Sequence, residues 1–524
     1  MTTVVEALGW AAGTEVAAAA PRCVFLSPLS LYDWLDEAVM TIMRRRYGTR
    51  FLVLVGGPRQ RDMCAQWATD KDRIFDLGEI ERQALAAAGP ADADSVFAEA
   101  RRLEAVHGVV YLRDIVQQDR AIYGAYLAYA AGPLANSRPP ALADIYRRIN
   151  GYFRLFQQLY QAHRVDLVIG RPGNLLNTTS IVLALAIGLP VTMPRHARQR
   201  SDVMWSFGPY SNPHLLARTY QRLADQPLVP LDEVRPPTSS QRTFSWFQWR
   251  YTARGVAKEL LVLAHTYAVK YARGLRHDGR LPAMQPFHRA AGAVLSSARL
   301  ARWMARSADG DLDRLAAVPF LFFPLPKEPE YTVQSLARHF SNVQAMAEQL
   351  ALSLPAGFRL VIKEHSRLGD RRRQFYQDLL KLPNVAMADP NIPGVELAAR
   401  ARAVATIAGT AAFEALLLGK RAIVFATDVE YGFLPAVARV TSFADLPAVV
   451  SEALREVDDA EALAIRQSAA RLRRAYAELA FDASGTRAFG GQTPLAPAQA
   501  ERAVDLLVAT CLAERDYLAR GGKL

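Results

Sequence analysis

Two short stretches of this sequence carry residue types that bind anionic ligands. Residues 363–366 directly follow the apolar run 358–362, and residues 409–411 directly follow the apolar run 404–408 and open a helical pattern. Free N–H groups and the helix dipole attract anions such as phosphate to the start of a helix. The sequence therefore predicts an anion-binding site. Its predicted residues are Lys363, Glu364, His365, Gly409, Thr410, Ala411 and Glu414.

A second set of polar residues lies on two loops of the N-terminal half. Residues 171–177 follow the apolar run 166–170, and residues 194–202 follow the short run 191–193. Loops that leave the carboxyl ends of neighbouring parallel strands line the ligand crevice of α/β folds. If a reaction takes place in this crevice, a general base or a nucleophile is expected there. The catalytic candidates are Asp202 and His196, and the candidates for substrate contact are Arg171, Asn174, Arg195 and, on a loop of the C-terminal half, Glu330.

Apolar runs alternate with helical patterns in both halves of the chain. The expected strands are 23–27, 51–55, 73–77, 166–170 and 191–193, then 320–324, 358–362, 384–387, 404–408 and 422–426. A long helix is expected over 334–352. This alternation predicts parallel sheets that are covered by helices on both faces. The predicted fold class is α/β, with two Rossmann-like domains that face each other across a crevice.

The length of 524 residues requires more than one domain, because a single core rarely grows beyond about 300 residues. A Pro-rich stretch at 227–240 marks one boundary. The predicted units are an N-terminal Rossmann-like domain (1–235), a helical connector (236–310), a C-terminal Rossmann-like domain (311–490) and a terminal helix (491–524).

The connector is strongly basic and rich in aromatic residues. Between residues 241 and 306, twelve Lys and Arg stand against Glu259 and Asp278, a local excess of +10. Basic charge mixed with aromatic side chains suits an anionic membrane surface or an anionic polymer. The alternative is a solvated connector whose aromatic side chains pack inside. Motifs of nucleic-acid-binding folds are absent from the sequence, so no nucleic-acid partner is expected.

Cysteine usage and the N-terminal sequence predict a cytoplasmic protein. Cys23, Cys64 and Cys511 are widely separated and form no zinc-binding pattern, as expected in a reducing compartment. The N-terminus lacks the basic segment of a signal peptide, and no run of about 20 apolar residues could span a bilayer. Peripheral association with the inner membrane through residues 241–306 is a further expectation.

Taken together, the two halves resemble the GT-B glycosyltransferases. The C-terminal half carries four more specific motifs, at 323–330, 363–365, 384–385 and 406–420. These motifs resemble capsular and surface-polysaccharide biosynthesis proteins, which include bacterial transferases that use CMP-activated Kdo and, more distantly, the sialyltransferases of GT-B type. The resemblance covers about residues 320–431 and is faint in residues 1–235. Ser366 stands where these proteins usually have proline, which makes the turn less rigid.

The resemblance implies a role for each residue of the predicted anion site. A Lys-x-His turn contacts the nucleotide donor in these proteins, which implies that His365 binds donor phosphate with Lys363 or Glu364 beside it. The turn at 409–411 would contact phosphate or the carboxylate of the sugar. Glu414 would hold the ribose or the cytidine side of the donor.

Stabilisation of the leaving phosphate is expected without a metal. Asp92 and Asp94 form a DxD sequence, which chelates a metal in many sugar transferases. Here the two residues open an Ala-rich helical stretch, where acidic residues are favoured by the helix dipole. A helix N-terminus together with His365 can stabilise the leaving group instead. No cofactor is expected beyond a nucleotide-sugar substrate.

The leading hypothesis is a glycosyltransferase that transfers a sugar from a nucleotide-activated donor, CMP-Kdo or a related CMP-sugar, to a growing bacterial surface polysaccharide or glycolipid. One alternative is a non-hydrolysing UDP-sugar 2-epimerase, which shares the two-domain fold. Another is a GT-B-like assembly or export factor that has lost catalysis. The partners expected under the leading hypothesis are a nucleotide-sugar donor and a glycan or glycolipid acceptor.

Overall fold

Two parallel sheets flanked by helices form the framework of the protein, which confirms the predicted α/β class and its two Rossmann-like units. The computed structural model describes residues 18–27, 33–89, 91–108, 112–120, 122–123, 140–198, 201–226, 252–277, 287–365, 371–491 and 493–523. The sites lie where loops leave the carboxyl ends of the strands.

The first sheet contains all five strands predicted in the N-terminal half. They are β1 (Cys23–Leu26), β2 (Arg50–Val55), β3 (Arg73–Asp76), β4 (Leu167–Ile169) and β5 (Val191–Thr192). Their order is β3-β2-β1-β4-β5, and every pair is parallel. Strand order reverses between β1 and β4, which is where α/β sheets open a crevice for ligands.

Helices cover both faces of this sheet. They are α1 (Asp33–Tyr47), α2 (Pro58–Trp67), α3 (Leu77–Ala87), α4 (Ala93–His107), α5 (Arg113–Gln118), α6 (Leu142–His163) and α7 (Leu175–Ala186). The next helix, α8 (His214–Arg222), packs instead into the core of the second sheet. The helix α6 buries Ile149, Phe153 and Phe156 against the sheet. Gly151 permits α3 to cross α6 closely, because a Cβ atom there would lie 2.1 Å from the carbonyl oxygen of Ala84.

The second sheet contains the five predicted strands and one more. They are β8 (Phe320–Pro324), β9 (Arg359–Lys363), β10 (Val385–Met387), β11 (Ala403–Thr406), β12 (Arg421–Val424) and β13 (Val437–Arg439). The order is β10-β9-β8-β11-β12-β13, again parallel throughout. The switch point of this sheet therefore lies between β8 and β11.

The helices around the second sheet mostly follow the predicted pattern. They are α11 (Leu312–Ala316), α12 (Val343–Leu352), α13 (Arg373–Leu379), α14 (Gly394–Arg400), α15 (Thr410–Leu417), α16 (Leu446–Ala453) and α17 (Asp459–Glu478). The long helix predicted over 334–352 is wrong: a π-helical turn (Thr332–Leu336) and a 3₁₀ turn (Arg338–Phe340) precede α12. The side chain of Asn342 caps α12 by accepting the N–H of Ala345, which sets a new start.

A small antiparallel sheet replaces the loop predicted at 194–202. It contains β6 (Pro194–His196), β7 (Asp202–Trp205) and β14 (Ala480–Asp482), in the order β14-β7-β6. The prediction was wrong because β7 also pairs with β14, which lies almost 280 residues later and gives no local signal. Met204 of β7 packs into the core of the second sheet, whereas Val203 and Trp205 pack into the core of the first.

The described part of the connector is a pair of helices, α9 (Ala253–His277) and α10 (Phe287–Ser307), which contact each other. The end of α10 is anchored on the second domain, because Met304 is buried there and Trp303 packs against Tyr376. No helix among the described residues is both long and apolar enough to cross a membrane. Leu261 and Val262 are exposed on α9.

The terminal helix α18 (Pro497–Ala519) returns to the N-terminal half. Its apolar residues join the core beneath the first sheet, and it contacts α1. Arg46 of α1 forms ion pairs with Glu501 and Asp505 of α18. The domain boundaries at 235, 310 and 490 stay predictions.

Candidate functional site

The start of α15 lies at the switch point of the second sheet. The preceding residue, Gly409, follows β11 in extended conformation, and no side chain caps the helix. The first turn of α15 contains no acidic residue. The side chain of Thr406 accepts the N–H of Gly409 at 3.2 Å, which holds the turn. The N–H groups of Thr410 and Ala411 therefore form a positive helix end that can bind an anion.

Three titratable residues of the predicted site have pKa values displaced by burial. Desolvation raises the pKa of Glu414 to about 7, and the nearby Lys363 opposes this shift only in part. Desolvation also lowers the pKa of Lys363 and that of His365, although His365 retains exposure to solvent. The displacements of Glu414 and Lys363 bring these two groups closer to neutral pH, as is common for groups at functional sites. The lowered pKa of His365 instead favours the neutral imidazole. The structure thus brings Lys363 and Glu414 together.

Glu364 does not belong to the exposed part of this site, which corrects its predicted role. Its side chain is 3% exposed and accepts hydrogen bonds from Arg371, at 3.1 and 3.2 Å, and from the hydroxyl of Tyr376. Arg371 also pairs with Glu328 at 2.8 Å. This buried cluster joins the loops that follow β8 and β9. Glu364 also accepts the N–H of His365 at 2.6 Å and so positions the backbone of that residue.

The loop after β8 carries Glu330 and Tyr331. The carboxylate of Glu330 accepts a hydrogen bond from the hydroxyl of Thr332 at 3.1 Å, and its charge contributes to the electrostatic surroundings of His365. Tyr331 is buried, and its hydroxyl donates to the carbonyl oxygen of Pro209. Glu330 thus lies at the edge of the crevice near His365, as a substrate contact requires.

Arg171 and Asn174 lie on the loop after β4, as predicted. The guanidinium of Arg171 lies 5.3 Å from the ring centre of Tyr331, a cation–π contact across the two halves. Among the described residues, no carboxylate pairs with Arg171. The side-chain oxygen of Asn174 caps α7 by accepting the N–H of Asn177 at 2.8 Å. Arg171 is therefore available to an anionic ligand, whereas the oxygen of Asn174 is occupied.

Arg195 and Arg198 are held by one buried carboxylate of the C-terminal half. Glu430 lies 2.7 Å from Arg195 and 3.2 Å from Arg198. Burial opposes ionisation of Glu430, but the two guanidinium groups outweigh it and lower its pKa. The next residue, Tyr431, donates from its hydroxyl to the carbonyl oxygen of Gly409 at 2.8 Å. This chain of contacts connects the arginines of β6 and its following turn to the start of α15.

The two catalytic candidates lie on opposite faces of the small sheet. In the register of β6 and β7, Arg195 pairs with Met204 and His196 pairs with Val203, and the backbone of Ala197 bonds to Asp202. Because side chains alternate along a strand, Asp202 shares the face of Arg195, and His196 lies on the other face. The ring of His196 packs edge-on against Phe489, 4.9 Å away. His196 nevertheless lies near the arginines of the crevice, because its pKa is lowered by desolvation and then by the charges of Arg171, Arg195 and Arg198. The catalytic roles of Asp202 and His196 stay predictions.

Three residues that organise the site, Tyr331, Glu430 and Tyr431, are not among those predicted from the sequence. Glu430 and Tyr431 follow β12 at the carboxyl end of the sheet, in the same position as the predicted loops. Their place after a strand of the parallel sheet is the local feature from which a role in the site could have been predicted. Their partners Arg195 and Arg198 lie more than 230 residues earlier, so no local pattern links them.

The described residues hold no cluster of three or more His, Cys, Asp or Glu side chains that could bind a metal ion. Asp92 of the DxD sequence instead caps α4 by accepting the N–H of Ser95 at 2.9 Å. That backbone hydrogen bond lowers the pKa of Asp92. The acidic pair is thus a helix start.

No protein-family model matches the chain, and no curated protein matches it. Among solved structures, it is similar to UDP-GlcNAc 2-epimerase from Neisseria meningitidis bound to UDP-GlcNAc, at 11% identity over 93% of this chain and 99% of that chain, with a TM-score of 0.27. It is also similar to KpsC, a beta Kdo 2,4 transferase of Thermosulfurimonas dismutans, at 12% identity over 57% and 85% of the two chains, with a TM-score of 0.26. For CalG4, the calicheamicin glycosyltransferase, the values are 14% identity, 93% and 98% coverage, and a TM-score of 0.23. These likenesses assign no activity to this chain.

Proposed function

We propose that this protein is a glycosyltransferase that uses a nucleotide-activated sugar. The observation that carries the proposal is the uncapped start of α15 at the switch point of the second sheet, with arginines of the first half gathered opposite it. An exposed helix end of this kind binds a phosphate group. Cationic side chains on the facing domain suit a substrate that carries further negative charge.

The donor half of the site is formed by the C-terminal domain. The N–H groups of Thr410 and Ala411 bind the phosphate of the donor, and His365 and Lys363 stabilise the charge that develops on it as the sugar leaves. Glu414 lies one turn into α15, where its carboxylate accepts hydrogen bonds from ribose hydroxyls. The reaction proceeds in this proposal without a metal cofactor.

The acceptor half of the site is formed by the N-terminal domain. Asp202 acts as the general base that removes the proton from the attacking hydroxyl. Arg171 and Arg195 orient the acceptor or the carboxylate of the transferred sugar. The donor is CMP-Kdo or a related CMP-sugar, and the acceptor is a bacterial surface polysaccharide or glycolipid. The choice of donor and acceptor rests on the motifs at 323–330, 363–365 and 406–420.

The proposal includes binding of the helices α9 and α10 to an anionic membrane surface. Their described parts present Leu261, Val262 and Leu295 to solvent. The stretch that contains them carries the +10 charge excess. Exposed apolar side chains beside basic ones favour binding at the headgroup region of anionic lipids. Such binding would hold the enzyme beside a lipid-linked acceptor.

A donor assay tests the proposed reaction. The protein is incubated with CMP-Kdo, CMP-sialate or UDP-GlcNAc together with a glycan acceptor, and the released nucleotide and the extended glycan are measured. Release of CMP coupled to acceptor extension is the expected result. Release of UDP from UDP-GlcNAc with a 2-acetamidoglycal intermediate would replace the proposal by an epimerase. If none of these nucleotide sugars binds, the remaining hypothesis is a non-catalytic assembly factor.

A further inference from the structure

A cavity of about 680 Å³ lies between the two halves of the chain, outside the set of residues described above. One wall is α5 with the start of α6, and the opposite wall is the segment from Arg338 to Ser341. Cavities of roughly 300–1,000 Å³ are typical of sites for small ligands. The cavity is thus large enough to hold a sugar unit.

The described lining of the cavity combines cations with tyrosine rings. Arg113 is exposed, and among the described residues no carboxylate pairs with it. Arg338 pairs with the single lining acid, Asp114, at 2.7 Å. Tyr123 and Tyr146 add aromatic surface with hydroxyl groups. Tyrosine offers both an apolar face and a hydrogen-bonding tip, and a free guanidinium binds carboxylate or phosphate with two parallel hydrogen bonds.

Both walls are rigidly placed by contacts across the halves. The side-chain amide of Gln117 donates to the carbonyl oxygen of Arg338 at 2.5 Å and to the hydroxyl of Ser341 at 3.0 Å. The hydroxyl of Tyr123 bonds to that of Ser341 at 2.8 Å. Phe340 packs against the core of the second domain. The lining is therefore built before any ligand arrives.

The cavity adjoins the acceptor side of the proposed site. Asp119, directly after α5, accepts the N–H of Leu175 at 2.9 Å, and the N–H of Arg120 donates to the carbonyl oxygen of Gly173 at 3.4 Å. These bonds attach the end of the cavity wall to the loop that carries Arg171.

We infer that this cavity binds an anionic saccharide, a sugar that carries a carboxylate or a phosphate group, as a unit of the acceptor. Only the identification of this saccharide as part of the acceptor rests on the proposed function. The free guanidinium of Arg113 binds the anionic group, and Tyr123 and Tyr146 contact the ring.

Binding of defined sugars by the full chain tests the inference. The probes are glucuronate, glucose 6-phosphate and neutral methyl glucoside, measured by calorimetry. The variants are Arg113→Ala, Arg113→Lys and the matched control Arg101→Ala, which removes an exposed arginine of α4 outside the cavity. At least one anionic sugar should bind more tightly than methyl glucoside, with affinity falling about tenfold in Arg113→Ala, partly retained in Arg113→Lys and unchanged in Arg101→Ala. The anionic sugar that binds with the higher affinity shows whether the cavity prefers a carboxylate or a phosphate group.

Binding of CMP and UDP to the same variants separates this inference from the proposed function. Nucleotide affinity should be the same in Arg113→Ala and wild type. Nucleotide binding without any binding of the anionic sugars would overturn the cavity inference alone. Sugar binding that depends on Arg113 in a protein that binds no nucleotide would support the cavity inference and overturn the proposed function. Equal loss in Arg113→Ala and Arg101→Ala would also overturn the inference.

Discussion

The carboxylate of Glu430 lies 2.7 Å from the guanidinium of Arg195, and this buried ion pair joins the C-terminal half to the small sheet of the N-terminal half. The same carboxylate holds Arg198, and its neighbour Tyr431 bonds to Gly409. The pair therefore fixes the position of the arginines of one domain relative to the start of α15 in the other. Its removal should affect both stability and ligand binding.

Replacement of Glu430 by glutamine should destabilise the protein by about 3 kcal/mol, because it leaves two mostly buried guanidinium groups without a carboxylate. The pKa of Glu430 is lowered in the folded state, so its contribution is present above the ordinary pKa of glutamate and is lost as the pH falls below about 4. Denaturant unfolding at pH 7 measures the loss. Glu452→Gln, at an exposed surface pair, is the control that should change little. Equal stability of Glu430→Gln and wild type would show that the ion pair is not formed.

Glu414 should make nucleotide binding depend on pH near neutrality. Its pKa is about 7, and ribose hydroxyls donate to the ionised form, so affinity for CMP should increase as the pH rises through 7. Between pH 6 and pH 8 the ionised fraction changes about tenfold, which sets the upper limit of the effect. Glu414→Gln should show only the pH dependence of the ligand itself. Identical pH profiles of the two proteins would exclude Glu414 from the binding site.

Substitutions of Asp202 and of His196 should change the rate of sugar transfer by very different amounts. Asp202→Asn should lower the rate of sugar transfer by at least about 100-fold, the usual contribution of a general base, with donor affinity unchanged. His196→Gln should change the rate little, because His196 packs against Phe489 on the other face of the small sheet. Measured rate constants at saturating donor check both expectations. A large loss in His196→Gln together with a small one in Asp202→Asn would reverse the assignment.

Glu514 should make the folded state less stable as the pH rises above the ordinary pKa of glutamate. It is fully buried in α18, accepts the N–H of Gly208 at 2.7 Å, and burial raises its pKa well above that of an exposed glutamate. The folded state therefore binds a proton that the unfolded state has lost, and stability falls as the pH rises above about 4.3. Glu514→Gln should gain stability relative to wild type, and the gain should grow from pH 5 to pH 8. A difference that stays constant over this range would contradict a protonated Glu514.

Much of the fold follows from local sequence patterns. The ten predicted strands are present because buried parallel strands are continuous apolar runs, as at 51–55 and 404–408. The small sheet could not be predicted, because β7 depends on pairing with β14, far along the chain. The prediction of one helix over 334–352 was wrong because the side chain of Asn342 caps a helix that begins only at Val343.

The candidate site shows the same division between local and distant signals. The start of α15 was found because a glycine turn between a strand and a helix is a local pattern. The role of Glu364 could not be read locally, since its environment is set by Arg371 and, through it, by Glu328 of another loop. For the same reason the sequence placed Asp202 and His196 together, although the register of β6 and β7 separates them.

The most direct test of the proposed donor site replaces Thr410 by proline. Proline fits the first position of a helix, and Gly409 already has the extended conformation that a residue before proline requires, with φ −78° and ψ 161°. The substitution therefore removes one N–H group from the start of α15 and should leave the fold intact. Thr410→Ala is the matched control, because it removes the side chain and keeps the N–H.

The measurement is the affinity of both variants for CMP and UDP by calorimetry, with thermal unfolding to check the fold. If the start of α15 binds the phosphate of the donor, Thr410→Pro should lose about tenfold in affinity for the nucleotide that the wild type binds, and Thr410→Ala should retain it. Wild-type affinity in a folded Thr410→Pro protein would contradict the central claim that this helix start is the donor site.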